Sequence, residues 1–222
     1  LKQFIRRWLA GERRDVRSAV DVFTRWAEKD RDAGMEAHHT AAVGEMLEAA
    51  LTAMGAGRRF SAIDAGCGNG WTVRRLRESA GCVAATGVDG SEGMIAKARA
   101  IDPEGDYVLA DLLAWEPASP VDLVVSMEVI YYFDDPVALL RRIASRWLRP
   151  GGHAVFGIDH YRENRESLSW PRDLRVRMTT WPEARWWSAM EEAGFTGLRR
   201  WRAGAKPGAA GTLAMLVRTP GA

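Results

Sequence analysis

The chain has 222 residues, 47% of them hydrophobic and 27% charged, with a formal net charge of +2, the profile of one ordinary globular domain. So neutral a balance offers no electrostatic footing for nucleic acid, no apolar run approaches the ~18 residues of a membrane span, and no signal-peptide pattern opens the sequence. Two cysteines, Cys67 and Cys82, are too few for a disulfide framework, so a reducing cytoplasm is expected. The sequence opens at Leu1 rather than Met, and some residues are expected to precede it.

Residues 1–30 carry a helical period. Phe4, Ile5, Trp8 and Leu9 share one face, and Val16, Val20, Phe23 and Trp26 share another. The segment is expected either to pack on a sheet edge or to lie over a ligand as a lid. Residues 30–35 read as a loop. Glu36 opens a helix running to about Leu51, with Val43, Met46, Leu47 and Leu51 facing inward. His38 and His39 stand near its start, where the helix dipole favours neutral imidazole. Adjacent helical residues point about 100° apart, so the two do not form a metal pair. His38 is a candidate contact for cofactor or substrate.

The chain is organised around residues 61–71. An apolar strand ends in Asp64-Ala65, glycines follow at 66, 68 and 70, and a helix period begins near Val73. The glycines remove Cβ atoms where the loop turns and where a ligand approaches main chain. The helix beyond offers free N–H groups and a positive dipole end. The spacing departs from the dinucleotide fingerprint G-x-G-x-x-G, because Trp71 stands where the third glycine belongs. Asp64 would repel a pyrophosphate and suits a ligand bearing an ammonium or a sulfonium. Residues 82–89 form a second apolar strand ending in Asp89, about 20 residues past the loop, where a carboxylate accepts from ribose hydroxyls. Ser91 is placed to cap the helix from Glu92, which carries Met94, Ile95 and Ala98. Residues 107–110 form a third strand that leads into Asp111. Three successive strands ending in carboxylates are costly unless each has a partner. An ammonium, a pair of ribose hydroxyls and an adenine amino group would serve, and S-adenosylmethionine carries all three.

Residues 121–126 form a fourth strand leading into Met127, Glu128, Tyr131 and Tyr132. A helix from Pro136 turns Leu139, Leu140, Ile143 and Trp147 inward and stops at residues 149–152. A fifth strand, 153–158, runs to Asp159 and His160. Strand–helix alternation predicts a doubly wound parallel sheet with its ligand crevice at the carboxyl ends of the strands. Asp64, Asp89, Asp111, Met127 and Asp159 fall on that edge. Residues 160–182 break the rhythm and are expected to cover the substrate. A helix over 182–193 ends at Gly194, and strands over 196–202 and 212–218 form an antiparallel hairpin. Tyr131, Tyr132 and His160 are the candidates for substrate contact, with His160 as base if the acceptor must lose a proton. Glu128 is a lesser candidate or a local cap. No cluster has metal-ligand spacing, so no metal is expected.

Through Ile63-Asp64-Ala65-Gly66-Cys67-Gly68-Asn69-Gly70, Val88-Asp89-Gly90-Ser91-Glu92-Gly93-Met94, Ala110-Asp111 and Leu148-Arg149-Pro150-Gly151-Gly152, the chain resembles the class I S-adenosylmethionine-dependent methyltransferases. It is most similar to their type 11 small-molecule group, from about Gly34 to the end. The resemblance implies an α/β, three-layer α/β/α Rossmann-like fold with a seven-stranded, mostly parallel sheet and an antiparallel last strand. One methyltransferase domain is expected over 1–222: a helical cap (1–55), a cofactor-binding core (56–159), a substrate-covering segment (160–182) and a C-terminal helix with hairpin (183–222). By the same resemblance Asp64, Gly66, Cys67, Gly68, Asn69 and Gly70 hold the methionine part of the cofactor. Asp89 holds the ribose, Asp111 and Leu112 the adenine, Met94 packs on the adenine face, and Gly90 stands against the adenine; Met127, on the same strand-end edge, completes the expected cofactor site. Gly90 departs from the pattern, since relatives often carry a larger apolar residue there. Ser126-Met127-Glu128-Val129 replaces the Asn/Asp-Pro-Pro-Tyr signature of amino-directed nucleic-acid methylases. The expected reaction is therefore methyl transfer to a small molecule, with no nucleic acid or membrane as partner. A non-catalytic S-adenosylmethionine-binding protein and a nicotinamide-dependent oxidoreductase are the alternatives.

Overall fold

The computed structural model describes residues 16–55, 57–206 and 208–221. The first apolar stripe of the sequence, Phe4 to Leu9, lies outside the described residues. Strands β1 (Phe60–Ala65), β2 (Cys82–Asp89), β3 (Asp106–Leu109), β4 (Val121–Met127), β5 (Leu148–Ile158), β6 (Thr196–Ala203) and β7 (Thr212–Arg218) form one sheet in the order β3-β2-β1-β4-β5-β7-β6. The strands β1 to β5 pair in parallel, and β7 runs antiparallel to both β5 and β6. Six strands thus share one direction. The helices are α1 (Ala19–Glu28), α2 (Met35–Met54), α3 (Trp71–Glu78), α4 (Glu92–Ile101), α5 (Pro136–Arg142), α6 (Trp170–Leu174) and α7 (Glu183–Glu192).

A sheet covered on both faces needs apolar residues in succession, which is why β4 and β7 read as near-continuous apolar runs. Ile63, Val124, Phe156 and Met215 face one layer, where Leu139 and Leu140 of α5 and Trp186 and Met190 of α7 meet them. Ala62, Leu123, Val155 and Leu216 face the other, built from α2, α3 and α4 through Met46, Leu47, Leu76 and Ile95. Among the described residues no helix is long and apolar enough to cross a membrane.

Several local expectations are corrected. The loop expected over 30–35 contains a 3-10 turn, Arg31–Gly34, that runs directly into α2. The helix expected to reach Trp147 closes at Arg142, and Ile143–Trp147 forms a π turn. Residues 149–152, expected to stop that helix, belong to β5, and their backbone finds partners in the C-terminal segment. Gly151 N donates to Pro220 O at 2.8 Å and Thr219 N to Gly152 O at 2.9 Å. Residues 160–182 carry a 3-10 turn and α6, and Arg17 N donates to Arg175 O at 2.8 Å beside a parallel bridge between Arg17 and Val176. The long connection is thereby tied to the residues that lead into α1.

Candidate active site

The strand ends that topology gathers on one edge enclose a cavity of about 1130 Å³, larger than the ~300–1,000 Å³ that one drug-sized ligand occupies. Its walls come from the loop after β1, the ends of β2 and β4, the turn after β3, α1, and residues 170–177.

The three loop glycines do different work. All have left-handed backbone, with φ of 80° at Gly66, 54° at Gly68 and 80° at Gly70, which disfavours any side chain. A Cβ at Gly66 would stand 2.2 Å from Val129 Cγ2, and one at Gly70 would stand 2.4 Å from the Tyr107 ring. Those two glycines serve packing. At Gly68, on the cavity wall, only Met35 Cε lies within reach, at 3.9 Å. Gly68 is where main chain is bare to a ligand. Its N–H donates to Asp89 Oδ2 at 2.9 Å, while Ser91 N donates to Asp89 Oδ1 at 2.8 Å. Each carboxylate oxygen keeps a lone pair for a ribose hydroxyl. Burial raises the Asp89 pKa, and the bonds from Ser91 and Gly68 oppose the rise.

Of the residues expected to hold a cofactor, Gly66, Gly68, Asp89, Gly90, Met94, Asp111, Leu112 and Met127 line the cavity. Asp64, Cys67, Asn69 and Gly70 do not. Asp64 is 3% exposed, and burial, with Asp89 next to it, pushes its pKa up to about 8. A cationic group nearby would reverse that shift. The Cys67 thiol turns into the sheet against Gly87, where a Cβ would meet it at 2.8 Å. Asn69 Nδ2 donates to buried Asp32 Oδ2 at 2.8 Å, bracing the loop against the turn before α2. Asp111 is exposed and accepts from Leu113 N at 2.9 Å. The cost expected for a buried carboxylate therefore does not arise at Asp111.

The second apolar stripe of the N-terminal segment faces the cavity rather than the core. Val16, Val20, Phe23 and Trp26 line the wall, while Val22 and Ala27 are the buried residues of α1. Thr24 and Ser91 share a hydroxyl hydrogen bond of 2.9 Å, and Lys97 Nζ donates to Asp30 Oδ1 at 2.6 Å and to Asp32 Oδ1 at 2.7 Å. These contacts fasten α1 and the turn after it to α4.

Tyr131 and Tyr132, the candidates for substrate contact, also line the cavity, with Glu128 and His39. Glu128 has left-handed backbone (φ 62°) at the end of β4, an unfavourable state for a non-glycine residue. Its Oε2 accepts from the Tyr131 hydroxyl at 2.8 Å, and its Oε1 accepts from Asp159 N. Burial and the neighbouring Asp159 hold the Glu128 pKa well above the carboxylate range. His39, rather than His38, reaches the wall, with Nδ1 3.9 Å from Asp159 Oδ2. The ring of His38 turns back instead and donates from Nδ1 to Gly34 O at 2.6 Å.

His160 is corrected as a candidate base. It is fully buried, off the cavity wall, and both ring nitrogens are engaged. Nδ1 donates to Ser167 O at 3.0 Å, so Nε2 accepts from the Thr180 hydroxyl at 2.7 Å. Burial lowers its pKa further. Its ring stacks on Trp170, with centroids 6.1 Å apart, which makes it a strut for the wall. Among the described residues no group of His, Cys, Asp and Glu has the arrangement of a metal site.

Over residues 12–199 the chain matches the family described as a methyltransferase domain. It belongs to that family. Within this methyltransferase-domain family it is 40% identical over 90 residues to trans-aconitate 2-methyltransferase of Azoarcus sp., covering 40% of this chain and 35% of that one. The same-named protein of Klebsiella pneumoniae is 31% identical over 106 residues, covering 48% and 42%. The chain thus spans less than half the length of these relatives. A putative methyltransferase solved in complex with the Haloferax volcanii Trm112 methyltransferase activator superposes with a TM-score of 0.80 at 28% identity, over 92% of this chain and 99% of that one. The N-methyltransferase NodS of Bradyrhizobium japonicum, solved with S-adenosyl-L-homocysteine, shares the fold with a TM-score of 0.62 at 20% identity, over 80% and 85%.

Proposed function

We propose that this protein transfers the methyl group of S-adenosylmethionine to a small-molecule acceptor. The observation that carries the reading is the continuous cavity, bounded at one end by Gly68, Asp89 and Met94 and at the other by Tyr131, Tyr132 and Phe23, with α1 running along both. At about 1130 Å³ it exceeds the space that one drug-sized ligand takes. The residues present fit the cofactor: bare main chain at Gly68, the Asp89 carboxylate on the wall, and buried Met94 and Leu112 as apolar surface for a purine. When bound, the cofactor supplies a methyl group activated by a sulfonium. The chain's own task is to align the acceptor with that methyl group and to exclude water, which α1 and residues 170–177 do by roofing the cavity. Unpaired Cys67 and Cys82 support a reducing, cytoplasmic setting.

Calorimetric titration with S-adenosylhomocysteine tests the cofactor half. Wild type is expected to bind saturably, and Asp89→Ala to bind at least about tenfold more weakly, since it loses hydrogen bonds to a charged acceptor. Preference for NADH, or no binding by the wild type, overturns the reading. Binding without turnover of any acceptor would favour the non-catalytic alternative.

A further inference from the structure

We propose that the acceptor is a neutral or cationic small molecule with an aromatic or apolar body, and that polycarboxylates are excluded; this rests on the methyl-transfer reading above. The acceptor end of the cavity is made of rings and aliphatic side chains from separate parts of the chain. Phe23 and Trp26 come from α1, Tyr132 from the turn after β4, and Trp170, Leu174 and Val176 from the connection after β5. The Phe23 ring meets Trp26 and Tyr132 edge to face, each at 5.4 Å between centroids, with interplanar angles of 75° and 82°. This is the geometry by which aromatic groups receive one another.

The wall is also fixed in advance. His160, with both nitrogens bonded, backs Trp170 from one side and lies 5.4 Å from the Tyr131 ring on another. A rigid, preformed aromatic wall favours a rigid, planar guest, because little ordering remains to be done on binding.

Charge at this end argues against an anion. Asp134, Asp135 and Asp173 stand on the wall against Arg17 and Arg177. Arg177 Nη1 already lies 3.7 Å from Asp134 Oδ2, and Asp173 pairs with Arg172 at 2.9 Å. A tricarboxylate leaving water needs several cations delivering charge-assisted hydrogen bonds, and carboxylates beside them would repel it. Beside the rings, Tyr131, Tyr132 and Glu128 form a polar strip on the wall. The Tyr131 hydroxyl bonds Glu128 Oε2 at 2.8 Å and lies 3.4 Å from the Tyr132 hydroxyl. One hydroxyl or amine of an otherwise apolar acceptor fits there.

The test uses protein saturated with S-adenosylhomocysteine and titrated separately with 2-naphthol and with trans-aconitate. 2-Naphthol is expected to bind saturably and to lose about tenfold in affinity in Phe23→Ala or Trp170→Ala, as truncated anchor residues do. No saturable binding of trans-aconitate is expected. Saturable binding of trans-aconitate, no binding of 2-naphthol, or 2-naphthol affinity unchanged in both variants overturns the proposal. Failure of S-adenosylhomocysteine itself to bind overturns the methyl-transfer reading instead, and is seen before either probe is added.

Discussion

At Asp64 the physics of one carboxyl decides two measurable quantities. Its pKa, pushed up to about 8 by burial first and Asp89 second, leaves it mostly protonated at neutral pH. A ligand ammonium beside it would draw it into its ionised form. Binding of S-adenosylhomocysteine at pH 7 should therefore release about one proton. The slope of binding enthalpy against buffer ionisation enthalpy reads this directly, and a slope of zero removes Asp64 from the site. The stability consequence has the opposite sign to that of a salt-bridged acid. Because the folded pKa lies above the ordinary 3.8, the contribution is fully present below 3.8 and is lost as pH rises to about 8, by at most about 1.4 kcal/mol per pH unit. Ligand-free Asp64→Asn should melt above wild type near pH 9, and should bind S-adenosylhomocysteine more weakly. A lower melting temperature for the variant at that pH would contradict the assignment. His160 shows what a sequence hides at this scale. Its place after β5 is legible, but Ser167 and Thr180, which occupy its ring nitrogens, lie in a connection without a period to read.

Among the elements, α1 is the one whose role changes most once its partners are known. The stripe Val16, Val20, Phe23, Trp26 is plain in the helical period, yet a period marks an apolar face without saying what meets it. Val16 and Val20 remain 46% and 43% exposed because they border the cavity and not the core. The partner surface is written in two glycines. A Cβ at Gly93 would stand 2.8 Å from Thr24 O, and one at Gly90 would stand 3.1 Å from Val20 Cγ2. Gly93 thus lets the α1 backbone approach, and Val20 fills the space that a larger residue at position 90 would take. The departure at Gly90 reads as an exchange of side chain between elements. Val20→Ala removes two methyl groups from the cavity wall and should weaken S-adenosylhomocysteine binding by about 1.5 kcal/mol, roughly tenfold. Gly90→Leu should displace α1 and quicken proteolysis near residue 30. In the double variant the two changes should compensate in affinity, and strict additivity in this cycle would show that Val20 and Gly90 do not share the space.

For the molecule as a whole, the sheet and its ligand edge were the most legible features, because buried parallel strands announce themselves as apolar runs ending in Asp64, Asp89 and Met127. Placement of β7 between β5 and β6 depends on pairings such as Val155 with Leu216 and Arg200 with Met215, which no local pattern contains. The same division separates the core from the site. Both apolar layers close on the sheet without α1, whose buried Val22 and Ala27 belong to neither. The roof is therefore the part with few buried apolar contacts, and such parts open at low free-energy cost while the core stays folded. A chain lacking residues 1–29 should keep a single cooperative thermal transition, with the melting temperature lowered by only a few degrees. It should also keep Asp32 in contact with Lys97 and Asn69, since that turn and α2 remain. Its affinity for S-adenosylhomocysteine should fall at least about as far as in Val20→Ala, roughly tenfold, and binding of aromatic probes should be lost with Phe23 and Trp26. Calorimetric melting and titration of the shortened chain separate the two outcomes. A broad or absent transition would make α1 part of the folding core, and unimpaired binding would deny it any part in the site.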